Sequence, residues 1–263
     1  MPELLSQSDF RAVRRLPFCY LCGTSFSPVE KCTRDHIPPQ SVFAKEDHNV
    51  PLILMTHYEC NHEQKEYDEI IGQLVAVIHG RYPNERNLKL RADVVDMPDH
   101  DIPFLAIRGI RLHFVVWRWI RAFHAALYGE FLPDDTMLAF HSPMPQGKNN
   151  NGEYVITEHL KQHALFVSVI HRNRAACTLD RIVCNNSKCV YECAWDQLDN
   201  GRSICIFALQ VYDWKRLGDS AHFASRGCVG LYRPVAGRPS NATRGTRLEF
   251  PLRGVDLLDP FEC

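Results

Sequence analysis

The chain has 263 residues, 45% hydrophobic and 23% charged, with a formal net charge of −1. That is enough apolar material for one large core or two small ones, and it excludes a disordered chain. Near-zero net charge means that any nucleic-acid footprint has to be local. The most apolar stretch, Leu112 to Trp117, is closed by Arg118, so nothing reads as a membrane span. Eleven cysteines, and a start Met1-Pro2-Glu3 without a basic region or apolar run, predict a cytoplasmic protein whose thiols stay reduced or bind metal.

In chain order, Ser8 to Leu16 reads as a short basic helix with Ser8 as its N-cap and Arg11, Arg14 and Arg15 following, stopped by Pro17. Phe18 to Gly23 reads as a tight turn and Val29 to Asp35 as a strand, with Pro38-Pro39 keeping the chain extended after His36. Leu52 to Met55 is a short apolar strand. Tyr67, Ile70, Ile71, Leu74, Val75 and Ile78 recur at three- and four-residue steps, predicting a helix from Glu59 or Cys60 to His79 that Gly80 stops. Residues 81–102 read as a connector, Phe104 to Tyr128 as a second long helix, and 134–152 as loop. The remainder looks β-rich: Tyr154 to Ile156, Ala164 to Ile170, and a hairpin of Cys189 to Asp196 with Ser203 to Tyr212 around the turn signal Asp199-Asn200-Gly201. Segment 226–253 reads as loop, with Thr246 to Leu252 as an edge strand. The expected class is α+β, organised as 1–80, 81–133 and 134–263.

Two pairs of metal-ligand type frame the first third. Cys19-x-x-Cys22 and His57-x-x-Cys60 supply three thiolates and one imidazole, a normal donor set for one tetrahedral structural zinc. Buried thiols are the bland alternative, but residues 17–62 are too few to bury a core unaided. Between and beside the pairs lie Asp35-His36-Ile37-Pro38-Pro39, Asn49 and Asn61. Neutral imidazole is the side chain suited to taking a proton from water near pH 7. Asp and Asn offer the hard oxygens that Mg²⁺ or Mn²⁺ prefer. In isolation, Asp35-His36 would read as a polar strand end and Asn61 as a helix N-cap.

Taken together and in this order, the two zinc pairs, the Asp-His-x-Pro-Pro step and the Cys60-Asn61 step resemble the HNH endonucleases over about residues 17–80. The resemblance implies a small zinc-stapled ββα-metal module, followed here by a helical segment and a β-rich region. It implies metal-dependent hydrolysis of DNA phosphodiesters, leaving 5′-phosphate and 3′-hydroxyl ends. His36 would be the general base, and Asp35 and Asn61 the ligands of one catalytic Mg²⁺ or Mn²⁺. Asn49 would bond loop backbone and hold the His36 loop in shape. Double-stranded DNA is the expected partner, with a protein partner or a second copy left open, and bacterial or phage defence is a common setting for such proteins. Two residues depart from the pattern: His57 stands where many relatives have a Cys, and Lys65 where some place a further His ligand. A zinc-knuckle module that binds nucleic acid or protein without cutting is the competing reading.

Outside that module, Arg108, Arg111, Arg118 and Arg121 fall within about 140° of arc on the expected helix, with no acid among them. They are the expected nucleic-acid contacts; a solvated face, or pairing with acids elsewhere, is the alternative. Trp117, Trp119, Phe123 and Tyr128 read as core, as do the thiols Cys177, Cys184, Cys189 and Cys193, whose spacing is no common ligand rhythm. Segment 226–253, with six arginines and one acid, is a candidate clamp or a solvated loop.

Overall fold

Strand β1 (Glu3–Leu4) leads into helix α1 (Gln7–Val13). These belong to a computed structural model that describes residues 2–78, 88–95, 104–108, 112–134, 136–140, 147–148, 154–155, 168–197, 203–212, 227–233, 239–243 and 257–258. The cap of α1 is Ser6 rather than Ser8. Ser6 Oγ accepts from the Asp9 amide while the Asp9 carboxylate accepts from the Ser6 amide, and that reciprocal box outcompetes a lone serine two residues later. The hairpin of β2 (Cys32–Ile37) and β3 (Leu52–His57) follows, then α2 (Tyr58–His62) and α3 (Lys65–Ile78). The helix expected to run unbroken from Cys60 is thus two helices, and His79 and Gly80 lie outside the described residues.

The expected connector contains β4 (Arg91–Val95), which pairs antiparallel with β5 (Phe104–Arg108). Helix α4 (Leu112–Tyr128) begins only afterwards. Phe104 to Ile107 is an apolar run of strand length, and Gly109 in the sequence separates it from the helical pattern. Next come β6 (Met137–Phe140) and β7 (Gly147–Lys148), so the expected loop 134–152 holds strands, and then β8 (Tyr154–Val155), inside the strand expected from Tyr154 to Ile156. Residues 168–175 are helical where a strand was expected through Ile170. Their buried positions 169, 170 and 173 keep helical spacing, which an apolar run ending at Ile170 conceals.

Strands β9 (Asp180–Cys184), β10 (Cys189–Gln197), β11 (Ser203–Val211), β12 (Gly227–Arg233) and β13 (Leu257–Leu258) complete the chain. The β10–β11 hairpin is the one expected, with Trp195 opposite Cys205. Its turn, and Thr246 to Leu252, lie outside the described residues, while β12 occupies part of the segment read as loop. These strands form a seven-stranded sheet in the order β1-β9-β10-β11-β12-β6-β13.

Alternation along β10 and β11 divides the sheet. Tyr191, Cys193, Trp195, Cys205 and Phe207 face one apolar cluster, and Ala194, Ile204, Ile206 and Ala208 face another with Val169 and Ile170. The first cluster is continuous from Phe10, Tyr20, Leu54 and Ile71 through Trp117 and Phe123 of α4 to Tyr191 and Phe207. This cluster draws on residues before 80, between 81 and 133, and after 134, and α4 packs against α1, α3 and β9. Trp119 and Tyr128 are also core, as expected, and so are Cys184, Cys189 and Cys193. Cys177 is exposed instead, in the turn that follows the 168–175 helix.

The basic stripe requires correction. Arg118 and Arg121 are 3% and 5% exposed. Arg118 Nη2 donates to Asp68 Oδ1 on α3 at 2.5 Å. Arg121 donates to the Leu21 carbonyl at 2.7 Å and pairs with Asp134. Neither is free for phosphate. Arg108 sits on β5 rather than on the helix, and Arg111 lies outside the described residues. Replacing Arg118 by Met leaves the half-buried Asp68 carboxylate without its cation, and should cost about 1–3 kcal/mol. Urea unfolding checks this against exposed Arg11→Met, expected within about 0.5 kcal/mol of wild type. Equal midpoints for the two variants refute the assignment.

Candidate metal centre and the His36 strand

The Cys19 turn is tightly specified. Cys19 N donates to the Thr24 carbonyl and Gly23 N to the Cys19 carbonyl, at 2.9 and 2.8 Å. Gly23 has φ +76°, and a Cβ there would lie 2.8 Å from the Phe131 ring, so only glycine fits. His57 ends β3 and stands at the N-cap position of α2, which carries Cys60. The four ligand atoms of Cys19, Cys22, His57 and Cys60 lie within 4.8 Å of one another.

Three thiols and one imidazole at that separation can hold a metal such as zinc. His57 Nδ1 is 3.4 Å from Cys22 Sγ, and its Nε2 is 3.3 Å from the Glu30 carboxylate. One ring nitrogen thus faces the cluster and the other an anion, the arrangement that fixes the tautomer of a ligating histidine. Burial opposes ionisation of Cys22, but hydrogen bonds from Thr24 and His57 outweigh it and bring the thiol down to about 7. Burial and the neighbouring Cys19 and Cys22 push Cys60 up to about 12, and burial also raises Cys19. Gathered without a cation, the three thiols cannot all ionise near neutral pH. A dication removes that obstacle.

Strand β2 presents two faces. Thr33, Asp35 and Ile37 point inward and Cys32, Arg34 and His36 outward, by the period-two rule and by their exposure. Asp35, expected on a catalytic ion beside His36, is only 4% exposed. Its Oδ2 accepts from the Tyr20 hydroxyl at 2.5 Å, and Tyr20 lies inside the Cys19-x-x-Cys22 turn. Arg118 and Asp68 complete this interior group; burial outweighs the guanidinium and moves the Asp68 carboxyl up to about 6.

His36 is half-buried. Burial lowers its pKa, Asp35 opposes this, and His48, Arg14 and Arg34 lower it further, so the neutral ring prevails at pH 7.

Asn61 Nδ2 donates to the Arg34 carbonyl at 3.4 Å, fastening α2 to β2; the N-cap position belongs to His57, so Asn61 is not a cap. Asn49 is exposed and donates only to the nearby Glu46 carbonyl, at 3.4 Å. That is a loop-backbone bond of the kind expected of it; its own carbonyl accepts from the Asn186 amide at 3.0 Å, and beside it His48 Nε2 lies 3.1 Å from the Gln40 carbonyl and 3.3 Å from that of Phe43. The sequence offered only one signal for His48, its place beside Asn49.

Asp35 is turned into the interior, and among the described residues the Cys19 cluster is the one group that gathers three or more Asp, Glu, His or Cys ligand atoms. No helix among the described residues is long and apolar enough to cross a membrane. Compared with family models, curated proteins and solved structures, the chain finds no match.

The cluster makes a quantitative prediction. Purified protein should carry about one equivalent of zinc, and Zn²⁺ added to stripped protein near neutral pH should release between roughly two and three protons, since Cys19 and Cys60 bind as thiolates. A pH-indicator titration reads the protons and elemental analysis the metal. A Cys60→Ser variant that keeps its zinc and its melting temperature would overturn the ligand set.

Proposed function

We propose that the chain is an HNH-type phosphodiesterase that cleaves DNA, with His36 taking the proton of the attacking water. The observation that supports this best is the setting of His36. It is a half-buried imidazole held neutral in the field of Arg14 and Arg34, on a hairpin whose ends meet at a Cys₃His cluster. A neutral ring is the form a general base needs, and fixed guanidiniums favour the extra charge that develops on phosphate as water adds. In the reaction, water oxygen bonds to phosphorus while its proton passes to the His36 ring. The bond to the 3′ oxygen breaks, leaving a 5′-phosphate and, after that oxygen gains a proton, a 3′-hydroxyl.

Because Asp35 and Asn61 do not present a joint oxygen set, no step here is assigned to Mg²⁺ or Mn²⁺. The burial of Asp35 under Tyr20 also favours a second reading, a zinc-knuckle module that binds nucleic acid or protein without cutting.

Cleavage of plasmid and of single-stranded DNA, with and without added Mg²⁺ or Mn²⁺, separates the two. His36→Ala should cut about 100-fold to 10,000-fold more slowly while binding persists. The wild-type rate should rise with pH and level off at a midpoint below about 6.5, because the lowered pKa makes the basic form available at lower pH. Asp35→Asn should act through stability, with no rescue by excess Mn²⁺. Undiminished cutting by His36→Ala, in protein freed of contaminating nuclease, moves the assignment to the binding module.

A further inference from the structure

A groove of about 650 Å³ runs along the outward face of β2. Arg14 and Arg15, from the end of the α1 segment, and Arg34 of β2 line it, over a floor of Leu16, Phe26 and Met55. Among the described residues no acidic one lines it, and no carboxylate pairs with the three arginines. The walls are tied together. Met55 N donates to the Arg14 carbonyl at 3.2 Å, Phe26 N to the Pro17 carbonyl at 3.4 Å, and Arg34 lies opposite Met55 in the β2–β3 register.

Cys32, Arg34 and His36 follow one another on this face at two-residue steps of about 6.6 Å, a spacing close to that of successive phosphates in an extended nucleic-acid strand. His36 thus stands on the same face of β2 as Cys32 and Arg34 of the groove, one step beyond its lining.

We infer that this groove binds an unpaired stretch of nucleic acid, with Arg14, Arg15 and Arg34 on successive phosphates and a base against Phe26 and Met55. The inference rests on the reading of the His36 face as a nucleic-acid site, and it replaces the stripe on α4 as the source of affinity. Guanidiniums on the rim account for phosphate, which a duplex presents as well. The apolar floor decides for the unpaired strand: a duplex keeps its bases stacked and leaves the floor empty, whereas a free base covers it and gains stacking on the aromatic ring.

The test uses zinc-loaded full-length protein and a short mixed-sequence oligonucleotide, as single-stranded DNA, single-stranded RNA and DNA duplex, without added Mg²⁺ or Mn²⁺. The DNA and RNA arms distinguish the two sources of the same chemistry. Single strands should bind more tightly than the duplex. Arg14→Gln/Arg15→Gln/Arg34→Gln should lose about tenfold or more in affinity, and its salt slope should fall by about two, at roughly 0.7 per phosphate contact. Phe26→Leu should weaken single-strand binding about fivefold and leave the slope unchanged.

One measurement needs no variant. The thiol of Cys32 is exposed in the groove wall and that of Cys177 is exposed elsewhere. Bound single strand should shield Cys32, and not Cys177, from iodoacetamide. Unchanged affinity and slope in the triple variant, equal binding of duplex, or Cys32 labelled at the same rate with probe present would each overturn the inference. Binding with all these signatures but no cutting under any metal leaves the groove standing and removes the nuclease. His36-dependent cutting with unchanged binding by the triple variant removes the groove and leaves the nuclease.

Discussion

A guanidinium in a nearly dry interior has to be matched by anions, because stripping its water costs several kcal/mol that only well-placed partners offset. Arg118 imposes that condition on the front half of this protein. Asp68 of α3 meets it directly, and Asp35 of β2, holding the Tyr20 hydroxyl, lies in the same electrostatic group. One cation on α4 thereby fixes α3, the inward face of β2 and the Cys19-x-x-Cys22 turn relative to one another. Arg121, three residues on, grips the same turn through the Leu21 carbonyl, with its guanidinium 4.8 Å from the Phe131 ring and 5.3 Å from that of Trp117. A metal held by Cys19, Cys22, His57 and Cys60 would fasten the turn to β3 and α2, and the arginines fasten it to the core.

Strand β2 divides its labour by the pleat. Asp35 and His36 are neighbours in sequence and point in opposite directions, one into a hydrogen-bonded interior and the other toward an open basic face. The inner residue sets where the outer one stands. Substitutions at Tyr20, Asp35 or Arg118 would thus disturb His36 without touching anything bound beside it, and kinetic losses alone would not separate the two kinds of residue.

What the sequence revealed follows from the range of each cause. Spacing within a few residues carried the Cys19, Cys22, His57 and Cys60 set, the helical period of α3, and the β10–β11 hairpin with its alternation. The fate of Arg118 and Arg121 was hidden because their acids come from other elements, 50 and 13 residues away. A helical wheel shows that arginines share a face, and says nothing of what covers it. The α4 sequence is apolar over most of its circumference, which marks a buried helix rather than a nucleic-acid lever. The choice of Ser6 over Ser8 turned on Asp9, three residues after the true cap. The inward turn of Asp35 follows from alternation once β2 is known to run to Ile37.

The pairing of β1 has a consequence for how the chain assembles. Glu3 and Leu4 run parallel to Arg181 and Ile182, and the Arg181 amide donates to the Pro2 carbonyl at 3.0 Å. Two short segments from opposite ends of the span between residues 3 and 182 must meet before the edge of the large sheet is complete. Closing a loop of that length has to precede the contacts that reward it, so folding is expected to be slow for the protein's size. It also makes the metal-bearing third a poor candidate for transplantation. Cut away at residue 80, it would lose the partner of its first strand and leave β9 with a bare edge, open to pairing with any other chain.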